Sequence, residues 1–408
     1  MDTRQPTLKR SLSLALFTFY GLGNILGAGI YVLVGKVAGY AGLYAPLSFL
    51  IASLVAVFTA FTYAELSARY PFSAGPAVYL QRGFNITLLS LFAGILIALA
   101  GCVSAATMFR GFIGYIQIFL NFRDEIIIIT MVTLLGSIAA WGITESARTA
   151  AFFTIIEVAG LFIIIFVAGK SSSNIPLYIS SLPSISSTGQ LEGIFIGAFL
   201  AFYAFIGFED MVNVAEEVRE PTRNLPIAIL LAVGIATLLY FLVIMICVSL
   251  ITPADLSNTD APLALVYERA TGTKPLLISA IGLCAVINGA LIQIIMASRI
   301  LYGLSKQKWI PSIFSYIHPV TRTPLISTLC VTILIIVMAI WLPIVTLAKA
   351  TSFLIFTVFT LVNLALLKLK LTEPQPGGII CIPVWVPALG FISSASFVLF
   401  QFLIETGI

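Results

Sequence analysis

Charge is scarce in this sequence: 9% of its 408 residues are Asp, Glu, Lys or Arg, against about 25% in an ordinary soluble domain. Histidine is nearly absent, a single residue at His318 in a polar, proline-flanked loop. That absence removes paired-histidine haem ligation, a histidine-based catalytic triad and an H-E-x-x-H metal site. Five cysteines, Cys102, Cys247, Cys284, Cys330 and Cys381, lie scattered through apolar stretches with no C-x-x-C pair, so neither a disulfide framework nor a zinc site is indicated. No Walker A string and no G-x-S-x-G nucleophile motif occurs. Without this machinery the sequence does not read as an enzyme, and neither a metal nor an organic cofactor is expected.

What is present is apolar. Hydrophobic residues make up 60% of the chain and the mean hydropathy is +1.10. Almost every segment between turn signals is long enough to span a bilayer, which takes about 20 residues. Arg4, Lys9 and Arg10 precede the first apolar run, but that run continues through Gly21, Gly27 and Gly29 to Val37, too far for a secretory signal core. Splitting the chain at polar, Gly and Pro clusters predicts an all-α polytopic membrane protein with about eleven spans. They lie near Ser11–Val37, Leu43–Ala68, Leu88–Phe109, Glu125–Ile143, Thr149–Ala168, Leu191–Ala215, Leu225–Ile251, Leu276–Leu304, Pro324–Leu342, Val345–Leu367 and Ile382–Ile404. Fourteen of the 21 Lys and Arg residues then fall on the side of the N-terminus and seven on the other, which predicts a cytoplasmic N-terminus. The net charge of +4 follows from that bias and calls for no nucleic acid; the expected surroundings are a lipid bilayer.

Two spans contain helix-breaking signals. The first holds the string GLGNILGAGIY, with glycines at 21, 23, 27 and 29; glycine tolerates unwinding, and unwound backbone survives in a membrane only where protein or a wet cavity surrounds it. The ordinary alternative is a close helix contact through a G-x-x-x-G face at Gly23 and Gly27. The sixth span reads AFYAFIGFEDMVNVAEEV, with Gly207 followed by Glu209 and Asp210. Two carboxylates at this depth are costly in lipid and favour a polar cavity or the start of a new half-helix. Five spans separate the breaks, the arrangement of an inverted repeat: repeat 1 at about 11–168, repeat 2 at about 191–367, and an extra helix at about 382–404, together one transmembrane domain over 1–408. Half-helix ends near the midplane would offer N–H groups to a carboxylate and carbonyls to an ammonium or cation, matching a zwitterionic amino acid.

GNILGAGIYVLVG, FTYAELSARYPFSAGPAVYLQRGF, FYAFIGFEDMVNVAEEVREPTRNLPIAI and ASRILYGLSKQKWIP, spread over nearly the whole chain, resemble the amino acid-polyamine-organocation superfamily. The resemblance implies a LeuT-type fold of five plus five helices with the first and sixth discontinuous. It further implies a secondary active amino acid permease of the plasma membrane working by alternating access, as proton-coupled symport or exchange, with sodium the less expected ion. It implies Gly27, Ala28 and Gly29 at the substrate carboxylate and Ile25, Tyr203, Ala204 and Ile206 at its amino group, with Phe205 and Phe208 gating or lining the pocket. Relatives usually carry a twelfth helix, whereas this sequence stops at Ile408; a shorter protein and a piece of a longer one are equal expectations, and monomer or homodimer stays open. Pro76, where relatives usually have Gly or an acidic residue, is expected to alter only a cytoplasmic connection.

Further positions carry expectations. Glu157 lies about eight residues into the fifth span, about 12 Å deep in a core about 30 Å thick, and is a candidate for proton or cation coupling against the alternative of a structural carboxyl. Asn288 in the eighth span is a candidate ion ligand or partner of Glu157, with interhelical glue as the alternative; Gln293 is a weaker case. Glu209, Glu216, Glu217 and Arg69 are candidates for gating ion pairs, although Glu65 and Arg69 stand at the spacing of an ordinary helix-end pair. Competing functions are a polyamine or other organic cation carrier, in which Glu209 or Asp210 would hold the amine, and a substrate-sensing membrane receptor.

Overall fold

In the computed structural model the described residues are 12–71, 75–120, 122–141, 147–171, 187–319, 321, 323–373 and 377–406. Among them nine segments are long and apolar enough to cross a membrane. The first joins two separate helices, α1 (Leu14–Ala41) and α2 (Ala45–Arg69), and a shorter apolar helix, Leu325–Trp341, adds one more. The total is the eleven crossings read from the sequence.

After α2 the chain forms α3 (Gly75–Phe84), then the crossings α4 (Thr87–Ile116), α5 (Asp124–Trp141) and α6 (Ala147–Ile163), the last continued by a π-helical turn at Ile164–Ala168. The sixth crossing starts as α7 (Thr188–Ala201), capped by Ser187, whose Oγ accepts the Gln190 N–H. It then tightens into 3-10 turns at Phe202–Phe205 and Phe208–Glu217. There follow α8 (Pro221–Leu250), the short helices α9 (Pro253–Asn258) and α10 (Pro262–Thr271), and the crossings α11 (Leu276–Lys306), α12 (Leu325–Trp341), α13 (Ile344–Thr372) and α14 (Trp385–Thr406).

Three of these helices are absent from the sequence reading. The segments of α3, α9 and α10 are each too short and too polar to register as spans, and they helicise by packing. Pro76, expected to matter only to a connection, is buried in the first turn of α3, which lies against α4 and α13.

The interior is built around α1, which packs against α6, α7 and α8, while α4 packs on α11 and α13. Side chains facing outward are apolar, as a lipid solvent requires: Leu88, Phe152, Leu238 and Leu329 are more than half exposed. Aromatic rings fill the seam between the sixth crossing and α13, where Phe202 stacks on Phe356 at 3.8 Å and Phe208 sits 5.2 Å from Phe359. On the face carrying the start of α1, Leu12 and Val218 pair as a single parallel bridge, with Leu12 N donating to Glu217 O and Arg219 N to Leu12 O. On the opposite face Lys36 Nζ donates to Ser257 O at 2.8 Å and lies 3.3 Å from Asp260 Oδ1, tying α1 to the α9–α10 segment.

Candidate functional site

Both predicted interruptions are present in the backbone. Gly27 leaves helical geometry inside α1 (φ 9°, ψ −143°). In the sixth crossing Ile206 is extended (φ −64°, ψ 136°) and Gly207 has φ 128°. An interruption leaves carbonyls before it and N–H groups after it outside the helical ladder.

The two interruptions touch, and glycine is what lets them. A Cβ on Gly29 would stand 2.5 Å from Ala204 Cα, and one on Gly207 would run into the Asn24 carbonyl. Gly207 also takes a φ that side chains with a Cβ rarely adopt. The G-x-x-x-G alternative does not describe this segment, because Gly23 faces the Thr154 side chain of α6 whereas Gly27 faces Met108 of α4.

Glu209 and Asp210 begin the second half of the sixth crossing, as the sequence suggested, but that half is a 3-10 helix rather than an α-helix. Glu209 Oε2 accepts the Gly207 N–H at 2.8 Å, satisfying a donor freed by the break. Asp210 Oδ2 accepts from Gln293 Nε2 of α11 at 3.3 Å. Both carboxylates are buried, at 4% and 6% exposure, and among the described residues neither has a basic side chain within ion-pair distance.

A cavity of about 650 Å³ runs to this pair from the face that carries Leu12. Its walls include Tyr20, Ala77, Asn213, Glu217, Arg299 and Trp309. Beyond the carboxylates lies a closet of about 10 Å³ between Gly101 and Ser104 of α4, Ile206, Gln293 and Ile355, room for about one water.

Of the other residues singled out in the sequence, Tyr203 lies 3.0 Å from Ser104 O and 3.1 Å from Ser104 Oγ through its hydroxyl. The Ile25 and Ala204 carbonyls both stand within hydrogen-bond distance of one group, the Tyr240 hydroxyl of α8. Ile206 borders the closet. Phe205 and Phe208 are fully buried and line neither cavity; Phe205 packs on Tyr240 and Phe208 on Tyr63 and Phe359. The side chains of Ala28 and Glu216 lie outside the described residues.

The gating set is rearranged. Among the described residues Arg69 pairs within its own helix: its guanidinium contacts Glu65 Oε1 at 2.6 Å, and both side chains are buried. Lys370 Nζ of α13 meets the other oxygen of Glu65 at 2.7 Å, a partner that lies 305 positions along the chain and leaves no local signal. Glu217 lines the wide cavity with Arg299, and among the described residues no ion pair joins it to Arg69, Arg82 or Arg299. Glu209 lies at the break itself. Lys349 Nζ lies 5.3 Å from the centre of the Tyr40 ring.

Glu157 and Asn288 come together: Asn288 Nδ2 donates to Glu157 Oε1 at 3.2 Å. The Tyr31 hydroxyl donates to the Glu157 carbonyl, and the Tyr115 hydroxyl to the Tyr31 carbonyl, each at 2.6 Å. This chain of bonds links α6, α1 and α4 beside the first break. Sequence reasoning missed Ser104, Gly101 and Tyr240, because a lone Ser, Gly or Tyr in an apolar helix has no pattern of its own; their significance lies in what faces them.

Eleven crossings among the described residues, two of them interrupted where they meet, and a cavity leading to the interruptions describe a polytopic membrane protein. The amino acid permease family matches residues 12–408, and the chain belongs to that family, within the amino acid-polyamine-organocation superfamily. It is similar to the cationic amino acid transporter 2, vacuolar, of Arabidopsis thaliana, 30% identical over 394 residues covering 90% of this chain and 61% of the relative. The cationic amino acid transporter 4, vacuolar, of the same plant is 29% identical over 397 residues, covering 90% of this chain and 64% of the relative. The branched-chain amino acid permease BcaP of Bacillus subtilis is 26% identical over 397 residues, covering 91% and 83%. The chain thus spans less than two thirds of the length of the two plant proteins.

Proposed function

We propose that the chain is a secondary active carrier of amino acids in the plasma membrane, holding a zwitterionic substrate between its two breaks and working by alternating access. The observation that carries this reading is the close approach of Gly29 to Ala204 and of Gly207 to Asn24, which brings the two breaks together; on this reading the N–H groups after Gly27 and the carbonyls of Ile25 and Ala204 serve one substrate. A carboxylate suits the first set and an ammonium the second. The two halves read as inverted repeats at about 11–168 and 191–367. With the N-terminus cytoplasmic, the cavity that reaches Glu209 and Asp210 opens inward and the Lys36 tie closes the outer face. Glu157, bonded to Asn288 beside the first break, is the group assigned to proton coupling, in symport or exchange.

The acidic pair favours a second reading of the substrate. Two buried carboxylates facing a cavity, one of them bonded to Gln293, complement a further amine, as in a basic amino acid or a polyamine. Uptake of radiolabelled amino acids into proteoliposomes, with alanine, leucine, arginine and putrescine as competitors, tests both readings. Inhibition by arginine that is weakened about tenfold in Asp210→Asn, with alanine unaffected, supports the basic amino acid. Inhibition by putrescine alone transfers the function to amine carriage. Binding of an amino acid without any flux makes the protein a sensor.

A further inference from the structure

Tyr240 stands in the middle of α8, in a crossing that the sequence left without a functional residue. Its side chain is fully buried. The hydroxyl lies 2.8 Å from the carbonyl oxygen of Ile25 and 2.9 Å from that of Ala204. Ile25 comes just before the first interruption and Ala204 just before the second, so one side chain from a third helix bonds main-chain groups freed by both. Its ring is fixed from two sides, edge-on to Phe205 at 5.2 Å and to Phe49 at 6.0 Å between centroids. The oxygen therefore has little freedom to move away.

A phenol has one proton to donate, whereas each carbonyl has two lone pairs. Two buried acceptors thus compete for one hydrogen, and at any instant one of them receives none from Tyr240. A buried carbonyl in that condition is a strong site for an ammonium, which brings three N–H groups.

We infer that Tyr240 is a positioning residue for the substrate amine: its hydroxyl clamps the Ile25 and Ala204 carbonyls from behind, at a fixed mutual distance, and leaves their remaining lone pairs converging on the ammonium. The inference rests on the reading of the chain as an amino acid carrier. It differs from simple packing of α8 against α1, which needs the ring but not the proton.

The proton is what the experiment varies. Tyr240→Phe keeps the ring and removes the donor, and 4-aminophenylalanine introduced at position 240 keeps the ring and offers two N–H groups, one for each carbonyl. In proteoliposomes the Phe variant is expected to raise KM for an amino acid about tenfold, the cost of about one lost buried hydrogen bond, with kcat within about twofold of wild type. The 4-aminophenylalanine protein is expected to return KM to the wild-type value or below. Equal KM in wild type and Tyr240→Phe overturns the inference, as does a 4-aminophenylalanine protein no better than the Phe variant. If Tyr240→Phe does not yield folded protein, the 4-aminophenylalanine protein decides alone: KM at or below wild type supports the clamp, and KM well above it overturns it. Wild-type protein that neither binds nor moves any amino acid removes the carrier reading and the clamp with it, whereas active wild type with an unaltered Phe variant removes the clamp only.

Discussion

Asn288 donates a hydrogen bond from α11 to the carboxylate of Glu157 on α6, at 3.2 Å, with both side chains buried. The two residues lie 131 positions apart, and the first interrupted helix passes beside them, since Tyr31 of α1 bonds the Glu157 carbonyl. The proposed coupling role of Glu157 rests on this placement beside α1.

Glu157→Gln is expected to keep the Asn288 contact but remove the titration. Uptake should then lose its dependence on external pH, while exchange of internal for external amino acid continues at a rate within about threefold of wild type. Parallel measurements across pH 5 to 8, roughly the range in which a coupling proton would act, with and without sodium, check this. A pH profile identical to wild type ends the coupling role and leaves Glu157 as interhelical glue.

Gly29→Ala places a methyl carbon 2.5 Å from Ala204 Cα, closer than packed atoms tolerate, and main chain cannot swing aside as a side-chain tip can. The breaks must separate. Uptake is expected to fall by at least about a hundredfold, because the catalytic or binding geometry of a site degrades steeply with displacements near 1 Å, and the ligand-induced rise in melting temperature should vanish. Gly234→Ala in α8, where a Cβ would meet nothing within 4 Å, serves as the control and should behave as wild type. Equal uptake by both variants would show that contact between the breaks is dispensable.

Glu65 holds two cations, Arg69 on its own helix and Lys370 on α13, and its Oε2 also accepts the Ile382 N–H at 2.8 Å. Lys370 in turn donates to the Ile382 carbonyl at 2.7 Å. Glu65→Gln leaves two buried cations without a counter-charge, and removing one partner of a buried pair costs about 3–5 kcal/mol. A marked drop in the melting temperature of the purified protein is expected, with Glu65→Gln/Lys370→Met recovering part of it. A single variant as stable as wild type would mean that these cations reach water or lipid headgroups when the carboxylate is gone.

Much of this protein was legible in its sequence because lipid is a demanding solvent. The crossings announce themselves, since each must be long and apolar; α11 begins at Leu276, where hydropathy alone placed it. Gly27 and Gly207 were legible for related reasons: clustered glycines in the first span tolerate unwinding, and a glycine followed by carboxylates in the sixth is costly inside an apolar helix unless the helix stops. The short helices α3, α9 and α10 were not legible, because a polar ten-residue segment has no signature separating a packed helix from a loop. Pro76 shows the consequence, since a residue in an apparent connection turns out to wall the cavity.

Partnerships were the least legible. Glu65 and Arg69 looked like a routine helix-end pair, four residues apart, and the pair is there. What the spacing could not convey is that both are buried and that Lys370 completes the cluster. The same holds for Asp210 with Gln293 and for Tyr203 with Ser104, each joining residues more than eighty positions apart.

The sequence by itself determined the solvent of this protein, the number of its crossings and the two places where helices must break, because those follow from local hydropathy and from the backbone freedom of glycine. Tertiary structure decided which groups the breaks face. The Ile25 and Ala204 carbonyls converge on one Tyr240 hydroxyl, and Glu157 meets Asn288, because helices far apart in the chain pack side by side in the membrane. Hydrogen bonds are short-ranged, and only packing brings such donors and acceptors within reach.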